Sequence, residues 1–302
     1  MPFSGLTYRL QQNLPLKSKS LYTLCMMLFF WAMFDGVVSY IVPLTISQGG
    51  LSNTMLGLIL GSSSIAGAAF DFFLCKFLSN THFRRVYLLM FILCGVFPFL
   101  LAHGSSVWLF LLAMAIWGFY YDLMSFASFD YVGRKADEGH HTSTFGAMNV
   151  FKALGYMIAP LIAGLAIGES DTIGWQPFAL IGTFLGISFL FYLLMVGVTK
   201  KDGPEFMQNV VCRRLNVLVE VHLWRKIGKV LIPILLMTMF FNIFDSFFWT
   251  LGPLLTESYK QLHPFNGLFL SAYTFPTLFM GLFVGKLTSR FGKKRTAFVS
   301  FL

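Results

Sequence analysis

Apolar stretches long enough to cross a lipid bilayer follow one another along almost the whole chain. Each approaches about 20 residues, the length that an α-helix needs to span the hydrocarbon core. Only 12% of the 302 residues are charged, whereas a water-soluble domain normally carries about 25%. The sequence therefore predicts an all-α, multi-pass membrane protein. Its predicted spans fall near residues 21–46, 54–78, 86–102, 106–132, 143–167, 176–198, 230–255 and 264–287, and a ninth begins near 296.

The connections between these stretches alternate in charge. One set holds 20 of the 22 lysines and arginines, and the opposite set holds only Lys260. Because basic loops are retained on the cytoplasmic side, we predict a cytoplasmic N-terminus and a location in the plasma or inner membrane. The lipid bilayer then accounts for the net charge of +9 without nucleic acid, and no feature requires an obligate protein partner.

Residues 199–229 form one long connection. Basic pairs surround an apolar stretch at 215–223, a pattern typical of a helix that lies on the inner membrane surface with its basic residues at anionic headgroups. A flexible tether between two halves is the alternative interpretation. The predicted parts are thus a six-helix N-terminal half over 1–198, this linker, and the start of a C-terminal half over 230–302.

An internal repeat relates the two halves at an offset of 210 residues. The pair Phe34-Asp35 recurs as Phe244-Asp245, and each aspartate stands eight residues before a proline. Over residues 30–92 the offset gives 13 identities in 63 positions. Six of these involve Asp, Pro, Gly, Lys, Ser or Arg, which are too rare in this chain to coincide easily. The repeat predicts one unit used twice, with its acid kept inside the membrane both times.

Six spans, a basic linker and the same pattern again resemble the major facilitator superfamily of secondary transporters. That family carries a Gly-x-x-x-Asp-Arg-x-Gly-Arg/Lys-Arg/Lys turn, which residues 285–294 match except that Ser289 replaces the acid. The corresponding turn after span 2 is degenerate, and Asp71 is the candidate substitute for its acid. The resemblance implies a cytoplasmic gating motif made of Asp71, Lys76, Arg84, Arg85, Gly285, Arg290, Gly292, Lys293 and Lys294.

A second motif lies in span 5, where exporters of the resembled family carry Gly-x8-Gly-x3-Gly-Pro-x2-Gly-Gly. This chain has Gly146, Gly155, Pro160 and Gly164 at those spacings, with alanine at two of the glycine positions. Small residues let neighbouring helices approach closely, and proline bends the span. Ordinary packing of membrane helices would give the same pattern, so the resemblance only slightly favours export. The span-4 arginine of the family is replaced by Met114.

Acidic residues lie inside three predicted spans: Asp35 in span 1, Asp122 in span 4 and Asp245 in span 7. The resemblance implies that these spans line a central cavity. A charge at mid-bilayer costs about 2.5–3.5 kcal/mol, so it normally faces a partner or a wet cavity. Because removal from water favours the neutral acid, Asp35 and Asp245 are candidates for binding a proton or a cationic substrate. Lys152 in span 5 is the candidate counter-ion of Asp122 or Asp35.

Other polar and aromatic side chains in the spans are candidates for contact with a solute. For each of them, and for each acid, packing or a structural hydrogen bond to a neighbouring helix is the alternative. The candidates for solute contact are Tyr120, Tyr121, Asn149, Asn242 and Trp249.

The resemblance implies a proton-coupled secondary transporter, with antiport expected, that moves a small organic solute by rocking two halves around a mid-membrane site. The sequence shows no nucleotide-binding, hydrolase or metal-ligand signature, so we expect no cofactor and no enzymatic activity. The alternatives are a non-transporting membrane sensor or scaffold and, less favoured, a membrane-embedded enzyme that uses the acids for proton transfer. Because the resembled family has more spans than this chain, we expect either a fragment or a naturally short protein.

Overall fold

The computed structural model describes residues 19–77, 83–104, 106–135, 141–167, 173–200, 217–259, 267–292 and 295–296. Within these ranges all regular elements are α-helices, which confirms the predicted all-α bundle. The predicted ninth span lies largely outside the described residues. The helices are α1 Lys19–Gln48, α2 Asn53–Phe77, α3 Phe83–Ala102, α4 Val107–Lys135, α5 His141–Ile167, α6 Gln176–Lys200, α7 Val217–Ser258 and α8 Leu268–Phe291.

All eight helices correspond in position to predicted spans. Seven are long and apolar enough to cross a membrane, and α8 joins them if its segments Leu268–Gly281 and Phe283–Phe291 are taken together as one bent span. We call the end of the bundle with the α2–α3, α4–α5 and α6–α7 connections the basic side, because Arg84, Arg134 and Arg225 lie there. The other end is the opposite side.

Helix α1 lies at the centre of the first six helices. Every side chain from 31 to 44 is buried, as expected for a helix that is apolar around its whole circumference. It packs mainly against α5 and α6. Gly36 permits the close approach of α5, because a Cβ atom there would lie 2.6 Å from the Cβ of Ala159.

The remaining helices pack around this centre in two groups. Helix α4 contacts both α2 and α3, and α3 also contacts α6. Gly118 brings α4 against α2, since a side chain at that position would overlap the carbonyl oxygen of Ser63. In the second half, α8 packs along α5, and α7 contacts α1 and α8. The α5–α8 pair is therefore the most extensive contact between the two halves.

The structure differs from the predicted linker at its C-terminal part. Residues 201–216 lie outside the described ranges, but from Val217 the chain forms one uninterrupted helix that continues through Pro233 to Ser258. The part of this helix that is apolar enough to span a membrane begins at Leu231, next to the predicted span start at residue 230, and the preceding residues from Val217 extend it. Gly228 is too weak a break, because a glycine inside a helix costs only about 1 kcal/mol relative to alanine.

Candidate functional site

The carboxylate of Asp35 lies in the interior of the bundle, where only 2% of the residue is exposed. Its Oδ1 atom accepts hydrogen bonds from the indole N–H of Trp117 at 3.1 Å and from the hydroxyl of Tyr120 at 2.9 Å. Its Oδ2 atom accepts a hydrogen bond from the hydroxyl of Tyr156 at 2.8 Å. Hydrogen bonds to an ionised carboxylate are stronger than neutral ones. Asp35 thus joins α1 to α4 and α5.

Helix geometry explains why these donors converge. Trp117 and Tyr120 are three residues apart, so they lie on the same face of α4. Tyr156 follows Gly155, where an added Cβ atom would lie 2.6 Å from the carbonyl oxygen of Phe29. The missing side chain at Gly155 therefore lets α5 approach α1 closely enough for the Tyr156 hydroxyl to reach Asp35.

The ammonium group of Lys152 lies over aromatic rings, one turn before Tyr156. Its Nζ atom is 5.8 Å from the ring centroid of Trp31 and 5.7 Å from that of Tyr121, within the range of a cation–π interaction. It also interacts electrostatically with Asp35. Within the described ranges, the salt bridge found is between Arg134 and Asp130, at 2.8 Å, and Lys152 forms none.

Asp122 does not lie beside Lys152 in this structure. Its carboxylate oxygen packs so closely on α2 that a side chain at Gly67 would overlap it, and it interacts electrostatically with Asp71. The reason is rotational: successive helical residues differ by about 100°, so Asp122 is on nearly the opposite face of α4 from Tyr120. The predicted Lys152–Asp122 pair is therefore not formed here, and Asp35 is the acid that interacts with Lys152.

Asp245 lies on the exposed part of α7 and accepts a hydrogen bond from the hydroxyl of Tyr273 on α8 at 2.9 Å. One turn later, Trp249 packs on Tyr156, with ring centroids 5.8 Å apart. Tyr156 thus contacts Asp35 of the first half through its hydroxyl and Trp249 of the second half through its ring. Tyr156 therefore connects Asp35 to helix α7, which carries Asp245.

The predicted solute-contact residues divide into two groups. Tyr121 is 40% exposed, and it lies with Trp31 under the Lys152 ammonium. Trp249 joins the same cluster through Tyr156. Asn149 and Asn242 are exposed on α5 and α7, outside the hydrogen bonds around Asp35.

Sequence reasoning missed three members of this cluster: Trp31, Trp117 and Tyr156. A usable signal existed for Trp117, which is three residues before Tyr120, and for Tyr156, which is four residues after Lys152. Trp31 is likewise four residues before Asp35, on the same face of α1.

The predicted gating motif is spread over the basic side. Asp71 is exposed near the end of α2, and Arg84 and Arg85 begin α3. Arg290 lies over the ring of Phe291 at 5.5 Å, and Gly292 ends α8 with a φ of 79°, which favours glycine. The side chain of Lys76, together with Lys293 and Lys294, lies outside what the structure describes.

Three glycines of the two motifs, Gly146, Gly155 and Gly285, lie at helix contacts. A Cβ atom at Gly146 would lie 2.5 Å from the carbonyl oxygen of Gly281, and one at Gly285 would lie 3.1 Å from the Cβ of Ser143. Pro160 places its carbonyl oxygen 2.8 Å from where a Cβ atom of Gly267 would be. Gly164 lies in the last turns of α5. Thus α5 uses Gly155 toward α1 and Gly146 toward α8.

A further contact joins the two halves at the opposite side. The hydroxyl of Tyr40, near the end of α1, donates a hydrogen bond to Oε1 of Glu257, near the end of α7, at 2.6 Å. Tyr40 is buried and Glu257 is half-buried. Helices α1 and α7 are therefore tied together at their C-terminal ends.

Comparison with known proteins adds a family assignment to this geometry. A sequence model of the Major Facilitator Superfamily matches residues 24–302. No curated protein sequence matches the chain significantly. No group of three His, Cys, Asp or Glu side chains within the described ranges could hold a metal ion.

Proposed function

The chain belongs to the major facilitator superfamily, and on that premise we propose that it is a proton-coupled secondary transporter for a small organic solute. The family consists of multi-pass membrane transporters of small solutes. We propose that protons are the coupling ion and that the solute is a small organic molecule. We also propose that the protein is an antiporter that exports this solute. Transport would proceed by rocking of the two halves around the site at Asp35.

The observation that carries this proposal is the buried carboxylate of Asp35 with its three donors. An ionisable group so deep in a membrane-spanning helix is expensive and usually functional. Hydroxyl and indole donors favour the ionised carboxylate, so binding of a proton would weaken all three hydrogen bonds. Because Tyr156 also packs on Trp249, a change at Asp35 reaches α7 of the second half through a single side chain.

Asp245 is the proposed second coupling acid. It lies on the exposed part of α7, with one hydrogen bond from Tyr273, whereas Asp35 is enclosed with three. We propose that Asp245 meets the solute or the proton first, and that Asp35 responds to it. The electrostatic interaction of Tyr156 with both acids supports a connection between them.

We propose that the protein lies in the plasma or inner membrane, with its N-terminus and the basic side facing the cytoplasm. The concentration of basic residues on that side supports it. The proposal of export rests on the resemblance of the span-5 motif to that of exporters; the close helix contacts of Gly146 and Gly155 are also expected from ordinary packing.

Proton flux in proteoliposomes tests the proposed function. The purified protein is reconstituted with a pH-sensitive dye inside, and a panel of small amines, carboxylates and neutral solutes is applied under a solute gradient. We expect solute-driven proton movement that falls at least about tenfold in Asp35→Asn and in Asp245→Asn, since each removes one of the carboxylates proposed to couple transport. Asp130→Asn is the control, because its carboxylate belongs to the partly exposed pair with Arg134.

Two results would contradict the proposal. Undiminished proton-linked transport in both Asp35→Asn and Asp245→Asn would remove these acids from coupling. Solute binding by the wild-type protein without any flux would instead favour a membrane sensor.

A further inference from the structure

A positive charge already lies against aromatic faces inside the bundle. The Lys152 ammonium is 5.8 Å from the Trp31 ring and 5.7 Å from the Tyr121 ring. Both distances fall within the roughly 6 Å over which a ring face attracts a cation. Within the described part of the chain no carboxylate oxygen lies within 4.0 Å of this ammonium, so its close electrostatic partners are rings.

The two rings form a rigid pair, which we call the Trp31–Tyr121 cage. Trp31 is fully buried, and its ring centroid lies 5.8 Å from that of Tyr121 and 6.4 Å from that of Tyr120. Tyr121 is 40% exposed, so the cage reaches the surface of the described bundle at this residue, whereas Trp31 is enclosed. The lysine side chain, in contrast, is a flexible four-carbon stem. The ammonium is therefore the movable part of this arrangement.

The surroundings of the cage favour a cation over an anion. The ring faces are negative, and the Asp35 carboxylate interacts electrostatically with Lys152. Asp245 acts on Tyr121 from the side of α7. An anion attracted to Lys152 would be repelled by both carboxylates and by the ring faces. A second cation would be repelled only by Lys152.

Lys152 is also not placed as a permanent counter-ion. A structural ion pair with Asp35 would bring the two charged groups into hydrogen-bond contact. The hydrogen bonds of Asp35 come instead from Trp117, Tyr120 and Tyr156. The lysine thus lies in the cage without a direct bond to the acid.

We propose that the Trp31–Tyr121 cage binds an organic cation, a small amine or quaternary ammonium, and that the Lys152 ammonium occupies the cage when the solute is absent. The arriving cation displaces the ammonium, which leaves along its flexible stem. This inference rests on the proposed function, because it names the solute class of the same transporter.

Binding of three isosteric probes to the purified protein in lipid nanodiscs tests the inference by calorimetry. Choline carries a quaternary ammonium, 3,3-dimethylbutan-1-ol is its neutral isostere, and 3,3-dimethylbutanoate is an anion of similar shape. We expect choline to bind roughly tenfold more tightly than the neutral probe, given the strength of a desolvated cation–π contact. The anion is expected to bind most weakly.

Variants of the cage separate ligand binding from folding. Lys152→Met removes the internal competitor, so we expect the Kd of choline to fall roughly tenfold, a gain that misfolding cannot produce. Trp31→Leu and Tyr121→Leu should raise the Kd roughly tenfold, whereas Tyr121→Phe keeps the ring face and should preserve binding. Lys286→Met removes the same charge from an exposed position on α8 and is expected to leave the Kd unchanged.

The outcomes distinguish this inference from the proposed function. Loss of choline binding in Lys152→Met, or tight binding of the anionic probe that disappears in the same variant, would overturn the cation site. Proton-coupled flux of another solute in a protein that does not bind choline would also overturn it, while the proposed function stands. Choline binding with the expected pattern but without proton movement would support the site and contradict proton coupling.

Discussion

The hydroxyl of Tyr156 donates a hydrogen bond to Asp35, and its ring packs on Trp249. These two contacts belong to different parts of the side chain, so they can be removed separately. The hydroxyl bond involves a charged acceptor when Asp35 is ionised, and such bonds contribute about 1.5–3 kcal/mol, against about 0.5–1.5 kcal/mol for neutral pairs. Tyr156 therefore offers a way to measure how strongly the acid depends on its donors.

Tyr156→Phe is expected to reduce stability and coupling while keeping the contact with Trp249. We expect a loss of about 1.5–3 kcal/mol in the free energy of unfolding when Asp35 is ionised, and a smaller loss when it is protonated. Thermal unfolding in detergent at two pH values measures this, together with proton flux. Tyr87→Phe is the control, because it removes a buried hydroxyl bond of 2.9 Å to the neutral Ser128. An equal loss in both variants at every pH would contradict an ionised Asp35.

The sequence identified Asp35 but not all of its partners. A charged residue in an apolar span is a strong signal because it is rare, and only 12% of the chain is charged. Aromatic residues are 18% of the chain, so the helical spacing of Trp117 from Tyr120 and of Tyr156 from Lys152 was a much weaker signal than the charge of Asp35. Asp122 was expected to pair with Lys152, but the rotation of α4 turns it toward α2, and such a rotation is set by packing.

At the scale of helices, contacts between backbones decide how closely α5 approaches its neighbours. Gly155 faces α1, and Gly146 faces α8 at Gly281. Ser271 adds a hydroxyl bond of 2.6 Å to the carbonyl oxygen of Met157. Helix α5 thus belongs to the first half by its position in the chain and packs along α8 of the second half.

Gly146→Ala is expected to destabilise this contact. Its Cβ atom would lie 2.5 Å from the carbonyl oxygen of Gly281, and overpacking of this kind costs about 1–3 kcal/mol. Gly186→Ala on α6 is the matched control, because nothing lies within 4 Å of its added Cβ atom and helix propensity should rise by up to about 1 kcal/mol. Thermal unfolding should therefore shift in opposite directions. A higher unfolding temperature for both Gly146→Ala and Gly186→Ala would contradict a close contact between α5 and α8 at Gly146.

The apolar runs predicted the helices well because each run is bounded by polar or charged residues. The run at 21–46, for example, became α1 over Lys19–Gln48. The predicted span start at residue 230 agrees with the apolar segment Leu231–Ser258. The helix itself begins earlier, at Val217, because the basic residues of the predicted surface helix are also good helix formers. Composition thus predicted a helix at the membrane surface within 199–229. It did not determine whether that helix continues into the span predicted over 230–255.

At the scale of the molecule, the two halves contact each other at several places among the described residues, including Tyr156 on Trp249. Helices α5 and α8 pack along each other, whereas α1 and α7 are joined near their C-terminal ends by Tyr40 and Glu257. Toward the basic side, the side chains of α7 are exposed from 238 to 247. The structure is therefore closed between α1 and α7 at the opposite side.

Cross-linking of this closed end is expected to stop transport. We propose Tyr40→Cys with Glu257→Cys in a background without the native Cys25, Cys75, Cys94 and Cys212, joined by a short, reducible bifunctional thiol reagent. Flux in proteoliposomes should be lost on cross-linking and restored by reductant, because rocking requires these ends to separate. The pair Asp130→Cys with Arg134→Cys, within α4, controls for the reagent. Full flux after complete cross-linking would mean that α1 and α7 do not separate there.

Helix α7, from Val217 to Ser258, is long enough that a small rotation of it would move one end by several ångströms. Its 42 residues extend about 63 Å at about 1.5 Å per residue, roughly twice the thickness of the hydrocarbon core. With a pivot at Trp249, which packs on Tyr156, a rotation of about 10° would move the Val217 end through about 8 Å at that rise per residue and would separate Glu257 from Tyr40. Loss of the hydrogen bond between Tyr40 and Glu257 would then accompany a larger displacement at the basic side.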